Sequence, residues 1–464
     1  MAYKDNFSPR TSQLIRPSDG SLVDLLDSIG INSAAAITDP SASANAVALL
    51  KGLLKQLQGT SDLGPSVMTQ AQKDIVARAV ENIVNTIGVE NIKMFMPLWE
   101  QSGAKAYDLF NRDLTFTVNG ATLGQNGPCG YCMGFDGVND YLVQDSATEN
   151  NTNNDDYPVN DSADKRAQKI RVVAIKAGFV RLYLKKLGAP NANCRVVIYT
   201  NSGGLPGAPV TNGTSEKVPC SSIGTNLDWR GFYFLTPPAL QKNQQYWVVF
   251  EYTDTVLVDG SNRISWGIDS AGGYGEGGAV YTSGAWSSYA QSHNFGIWSD
   301  NLVLNTDYSV ITLAKDNVPS EIASRFILRA SSIDNFGVVI RKVDQGYYDF
   351  VGNDGSTRAA VMYLFPSVFT VYGGTFSVAN STGKVEGYAN GFLKATGDGT
   401  ALASQARLAH PLAIGASMNS QGVLGGYWSG LIGPTIITKN KLSQAQMGII
   451  SNELLCLRKY GVAA

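Results

Sequence analysis

Charge is scarce in this 464-residue chain: Asp, Glu, Lys and Arg make up 16% of it, against ~25% in an average globular protein. The formal net charge is −2, so no global field draws the chain to nucleic acid, and no nucleic-acid partner is expected. Histidine is scarcer still. Only His293 and His410 occur, and neither has a Ser or Cys motif beside it. A nucleophilic triad has no support, so no catalytic residue is assigned and the chain reads as a non-enzyme. No apolar run approaches the ~18 residues of a membrane span, so no membrane partner is expected. Met1 to Arg16 is polar and lacks the apolar core of a signal peptide, which points to folding in a cytoplasm without the general secretory route.

Cysteine is sparse and odd in number: Cys129, Cys132, Cys194, Cys220 and Cys456. Five in so long a chain exclude a disulfide scaffold. Cys129-Gly130-Tyr131-Cys132 has redox spacing, but it precedes a strand pattern in a Gly-rich stretch and not a helix. It reads as a local disulfide or two plain thiols. A zinc site needs a second close Cys or His pair, and none exists. Gly272-Gly273-Tyr274-Gly275-Glu276-Gly277-Gly278 lacks the Lys-Ser/Thr ending of a phosphate loop. No metal site and no cofactor are assigned. Asp155, Asp156, Asp161 and Asp164 lie in the polar stretch 150–164, whose oxygens suit calcium. Their spacing matches no EF-hand, and the stretch reads as a solvated junction.

What is abundant is glycine, 49 residues, and aromatics, 10%. Many turns and many rings with few charges point to a mainly β protein. The beginning differs. Val47, Leu50, Leu54 and Leu57 form one helical stripe, ending at Gly59. Thr69 and Gln72 form a capping box before a second stripe, Val76, Val80, Ile83 and Ile87, which Gly88 stops. Short stripes gain stability by packing, so these eight residues are candidate oligomerisation contacts, and a homotrimer is expected. Beyond about 105 the period changes to two. Val180 to Leu184, Cys194 to Tyr199 and Gln245 to Glu251 read as strands. Asn390-Gly391 reads as a hairpin turn. Ser443 and Gln446 cap a last helix with the stripe Met447, Ile450, Leu454 and Leu457.

One β-domain signature occurs in two distant pieces. Phe135-Asp136-Gly137-Val138-Asn139-Asp140-Tyr141-Leu142 opens it. Gly425-Gly426-Tyr427-Trp428-Ser429-Gly430-Leu431-Ile432-Gly433-Pro434, with Leu442-Ser443, closes it. With Gly383 to Gly391, these pieces resemble the laminin-G-like, concanavalin-like jelly roll. The part between resembles the choice-of-anchor β-sandwiches, at Leu182 to Gly188, Gly203 to Gly207, Pro237 to Leu240, Tyr246-Trp247 and Gly284 to Trp286. Thr38 to Ser43 and Leu49 to Lys55 resemble leading segments of tailed-bacteriophage structural proteins.

The resemblances imply two nested jelly-roll β-sandwiches with a helical N-terminal assembly region. The expected division is 1–104 helical, 105–160 with 301–464 as the laminin-G-like jelly roll, and 165–300 as the inserted module. They imply a virion protein: a capsid-attached spike, fibre or decoration protein that touches the major capsid protein and carries outward-facing sandwiches. Host-surface glycans are the expected ligand class. Tyr274, Tyr281, Trp286 and Tyr289, in a Gly/Ser-rich, loop-like stretch, are the candidate ligand-binding rings. The alternatives are a tail-associated receptor-binding protein and a glycoside hydrolase. The latter needs two carboxylates ~5–9.5 Å apart, whereas Asp349 and Glu386 stand isolated in the sequence.

Overall fold

The structure, a computed structural model, describes residues 70–456 apart from 111–113, 147, 173–175, 255–257, 299–306, 319–324, 331–337, 345–346, 352–357, 363–367, 380–381, 401–410 and 419–423. The stripe Val47, Leu50, Leu54 and Leu57, together with Thr69, His410 and Leu457, lies outside the described residues. The fold is mainly β. Four large sheets, all with antiparallel pairing, hold nearly every strand.

Sheet I runs in the order Phe392–Thr400, Thr382–Ala389, Thr370–Ala379, Tyr308–Asp316, Ser429–Thr438, Gly130–Asp136, Thr122–Gly127, and Ile92–Met96 also pairs with Ser429–Thr438. Sheet II runs from Lys105–Tyr107 through Thr115–Asn119, Tyr141–Gln144, Ala413–Ile414 and Arg325–Ala330 to the three strands that end at Arg358–Met362. Their facing sides share one core. Met94, Met133 and Val310 from sheet I meet Phe116, Leu142 and Ile340 from sheet II. The two pieces of the split signature become neighbours in sheet I, with Ser429 opposite Asp136 and Ile432 opposite Met133. Arg325 ties both ends by donating from Nη1 to the carbonyls of Gly137 and Tyr427.

Sheets III and IV draw all their strands from residues 148–298. Sheet III centres on Phe179–Leu187, flanked by Asp228–Tyr233 on one side and by Phe295–Trp298 and Arg263–Asp269 on the other. Sheet IV runs Leu205–Thr214, Asn193–Ser202, Gln245–Tyr252, Lys165–Arg171, Gly278–Thr282, Ala285–Tyr289. Alternation decides the faces. Val180, Leu182 and Leu184 point into a core with Val196, Ile198, Val248 and Phe250. Arg181, Tyr183 and Lys185 therefore point outward.

The helix Gln70–Ile87 lies on the outer side of sheet I. Val76, Val80, Ile83 and Ile87 are at most 5% exposed and pack with Phe95, Ile311 and Ile436 of that sheet and with Met447, Ile450 and Leu454 of the helix Gln444–Leu454. This corrects their assignment as oligomerisation contacts. A stripe already covered by its own chain has no face left for a second copy. Three further corrections concern local structure. Ile92–Met96, inside the stretch expected to be helical, is a strand. Asp155–Val159, inside the expected junction, is a strand of sheet III, with Asp156 paired to Lys185 at 2.6 Å. Cys129 pairs with Cys456, not with Cys132, which is a buried thiol.

Candidate functional site

The outward face of sheet III is built for flat rings. Antiparallel register sets Arg181 opposite Gly231 on one side and Gly296 on the other, and Gly296 opposite Glu149. A Cβ on Gly296 would sit 2.4 Å from the Trp298 ring. Its absence lets that indole lie down against the sheet. Gly267 does the same for Tyr183, whose Cδ1 is 2.9 Å from where a Cβ would be. The Arg181 guanidinium fills the space between two indoles, 4.0 Å from the Trp229 ring centre and 4.7 Å from that of Trp298. Such cation–ring contacts strengthen when desolvated. Tyr183 sits opposite Trp229 with ring centres 5.0 Å apart. Burial pushes the Arg181 guanidinium down to about 10, and Glu149 acts the other way. The side chain stays charged at neutral pH.

This face forms one wall of a cleft of about 840 Å³ between sheets II and III. The other wall carries Thr117, Asn119, Tyr141 and Val143. At its mouth Lys105 Nζ donates to Asp145 Oδ2 at 2.7 Å, and Asp145 also accepts from the Thr115 and Thr117 hydroxyls. On the sheet III side Arg181 Nη2 lies 3.6 Å from Glu149 Oε2 and donates to Asn151 Oδ1 at 3.4 Å. Trp298 of this wall stacks on Phe179 at 4.7 Å, and Phe179 stacks on Tyr233 at 5.4 Å. These three side chains join the core of sheets I and II, so the wall is fixed to both cores. Gln144, 3% exposed, lines the cleft as well. Its Oε1 accepts from the Leu412 amide, while its buried Nε2 finds no hydrogen-bond acceptor among the described residues.

The four rings singled out from sequence do not gather there. They belong to the segment 274–289, most of it the hairpin of Gly278–Thr282 and Ala285–Tyr289, and this corrects the loop reading. Tyr274 packs edge-on against Phe295, shares a hydrogen bond with Thr148 and accepts from the Arg171 amide. Tyr289 stacks on Tyr157 and bonds His293 Nε2. Tyr281 and Trp286 do meet, with ring centres 5.1 Å apart, and both are half-buried. Trp286 packs against Trp247 and Val249, a small apolar cluster on the outer side of sheet IV.

His293 is fully buried, stacked on Trp266 at 4.0 Å. Burial first, and the nearby Arg166 charge second, push its imidazole down to about 3, so it is neutral in the physiological range. Asp349 is clamped by Arg341 through two bonds of 2.8 and 2.9 Å. Glu386 accepts from Thr375 and Tyr388 and pairs with Lys441 at 2.9 Å. Each is tied into its own sheet. Among the described residues no group of three His, Cys, Asp or Glu side chains gathers as a metal site, and no helix is long and apolar enough to cross a membrane.

No protein-family model matches the chain, and no curated protein does. Solved structures give partial likenesses. The CBM40 of the Ruminococcus gnavus IT-sialidase, bound to α2,3-sialyllactose, aligns with 16% identity and a TM-score of 0.26 over 32% of this chain and 83% of its own. A mutant Trypanosoma rangeli sialidase displaying trans-sialidase activity aligns with 9% identity and a TM-score of 0.36 over 83% of this chain, which spans 39% of that enzyme. The binding domain of a botulinum neurotoxin DC aligns with 14% identity and a TM-score of 0.25 over 32% of this chain and 36% of its own.

Proposed function

We propose that this chain is a glycan-binding display protein, and that the cleft between sheets II and III is where the saccharide sits. One observation carries the reading: Tyr183 and Trp229 are laid along a glycine-relieved sheet face at the wall of an amide- and hydroxyl-lined cleft. Rings give sugars a broad amphipathic contact face at small entropy cost. The cleft volume lies within the ~300–1,000 Å³ typical of small-ligand sites. The charged groups of the cleft are engaged in ion pairs and hydrogen bonds, which favours holding a ligand over cleaving it. In this reading the two pairs of sheets are nested jelly rolls, and the chain works without enzymatic turnover.

The setting we propose is a tailed-phage virion, with the chain attached to the capsid as a spike, fibre or decoration protein. This part rests on the sequence resemblances of the split signature and the leading segments. A homotrimer belongs to the same proposal, and its contacts fall to the stripe Val47, Leu50, Leu54 and Leu57. Binding of the purified chain to an immobilised glycan panel tests the cleft: Tyr183→Ala and Trp229→Ala should each weaken the best ligand at least about tenfold, a loss near 1.4 kcal/mol. Binding that ignores both substitutions sinks the assignment. Imaging of labelled particles tests the virion setting, and light scattering of the chain with Leu50→Ala and Leu54→Ala tests the trimer.

A further inference from the structure

The charges of the cleft suggest which saccharides it takes, and this step rests on the saccharide reading above. Four charged side chains line it: Lys105, Asp145, Glu149 and Arg181. They form two internal pairs, Lys105 with Asp145 at 2.7 Å and Arg181 with Glu149 at 3.6 Å. Two cations and two anions leave the lining with no net charge. Asp145 is further occupied by two threonine hydroxyls. Arg181, with its side chain 6% exposed, is wedged between the faces of Trp229 and Trp298. Its guanidinium therefore acts as a spacer that holds the two rings apart. What remains to meet a ligand is amide, hydroxyl and ring: Asn119, Asn151, Asn153, Ser146 and Tyr183, with Trp229, 8% exposed, packed beside Tyr183.

We propose that the cleft selects an uncharged saccharide and discriminates against carboxylate-bearing ones. A ligand carboxylate entering beside Arg181 meets Glu149 already there. Like charges set side by side in a partly desolvated site repel, and the repulsion works against the wrong partner. An uncharged sugar meets no such opponent. Its hydroxyls match side-chain amides that both donate and accept, and its apolar ring face matches Tyr183 and Trp229. An acceptor oxygen reaching the base would also satisfy Gln144 Nε2.

The test uses the purified full chain with pairs of oligosaccharides that differ only in one carboxylate. Uncharged members should bind, with affinity changing less than about twofold between low and high salt, because no ion pair to the ligand is there to be screened. Glu149→Gln removes the internal counter-charge. It should leave uncharged ligands within about twofold and raise the affinity for carboxylated ones at least about tenfold. A carboxylated saccharide that binds wild type about tenfold tighter than its uncharged twin, and loses that binding in Tyr183→Ala, overturns the selectivity while keeping the cleft as a glycan site. Absence of binding to every saccharide, or binding indifferent to Tyr183→Ala and to Asn119→Ala, overturns the glycan reading itself and this inference with it. Glu149 and Asn119 are peripheral enough that their variants report on the site even where Trp229→Ala disturbs the wall.

Discussion

Sheets I and III are both central, well-filled sheets, yet they dispose of their outward faces in opposite ways. Sheet I is roofed by the helices Gln70–Ile87 and Gln444–Leu454, and the contact with the sheet is apolar: Val80, Ile83, Ile450 and Leu454 sit on Phe95, Ile311 and Ile436. Among the described residues no helix covers sheet III in this way. Its outward row is Phe179, Arg181, Tyr183 and Lys185, apolar only at the end that meets the neighbouring core. A sheet face must be buried, made polar, or left to bind something. Sheet I takes the first course. Sheet III divides them along a single strand: buried at Phe179, ring-lined at Tyr183 and charged at Lys185. The face proposed to bind is the one whose side chains are ordered by packing but whose covering stops short.

The strongest way to break this comparison is at the shared row. Phe179 stacks on Trp298 and Tyr233 and reaches the core of the other two sheets. Phe179→Ala should cost about 3–5 kcal/mol, as buried Phe truncations do. It should also split one calorimetric unfolding transition into two, since the junction core is the coupling. Two transitions in wild type would show that the cores are already independent. The same junction bears on excision of residues 165–300: removing them takes Phe179, Tyr233 and Trp298 out of the first core, so the remainder should be less stable than the intact chain by denaturant titration.

A subtler contrast is in pH response. Glu100 lies beside the first core and His293 in sheet III. Glu100 is 5% exposed, and burial pushes its carboxyl up to about 7 from 4.5 despite bonds from backbone amides. Between those values the folded chain holds the proton better than the unfolded one, so stability falls as pH rises from 4.5 to 7. His293 is pushed the other way, to about 3 from 6.5. There the unfolded chain holds the proton better, so stability falls as pH drops from 6.5 towards 3. At full extent the first effect amounts to roughly 3 kcal/mol and the second to roughly 5 kcal/mol. Glu100→Gln should flatten the first slope alone and His293→Gln the second alone, read as denaturation midpoints against pH. A shared change in both slopes would mean that neither group titrates locally.

The smallest effect expected is at the roof's edge. Ser443 Oγ accepts from the Gln446 amide, and Gln446 Oε1 accepts from the Ser443 amide. Gln446 Nε2 also donates to the Thr86 carbonyl on the other helix. Ser443→Ala should cost about 1 kcal/mol and raise hydrogen exchange in the two helices while leaving sheets III and IV unchanged.

The parts of this architecture that depend on near neighbours are legible in sequence. The capping box at Ser443 is local chemistry. So is the Asn390-Gly391 turn, where both residues take positive φ, 49° and 80°. The strands through Val180 and Cys194 follow from a period of two, and the one through Gln245 from a nearly continuous apolar run. The cleft is not legible, because Lys105, Tyr141, Arg181 and Trp229 come from different strands that only register brings together. A signal existed: Arg181 and Tyr183 are a cation and a ring at outward positions of a strand whose intervening residues Val180, Leu182 and Leu184 are aliphatic. The helix stripe at Val76 misled for a related reason. Periodicity tells that a face is covered, and it cannot tell whether a neighbour in space or another copy covers it. The Cys129–Cys456 bond is equally remote, since nothing near Cys129 points to a partner 327 residues on.

That bond has a mechanical consequence. It closes a 327-residue span into a ring that contains every strand from Gly130–Asp136 to Ser429–Thr438. Tension applied between the two ends of the chain runs from Cys129 across the sulfur bridge to Cys456 and never enters the ring. Without the bridge, an unravelled span of that length would pay out roughly 1,100 Å at ~3.4 Å per residue. With it, the chain under load lengthens only through the segments outside the ring, among them Lys105–Tyr107 and Thr115–Asn119 of one cleft wall, while sheets III and IV stay inside it. Single-molecule extension of the oxidised and the reduced chain reads the difference directly as contour length.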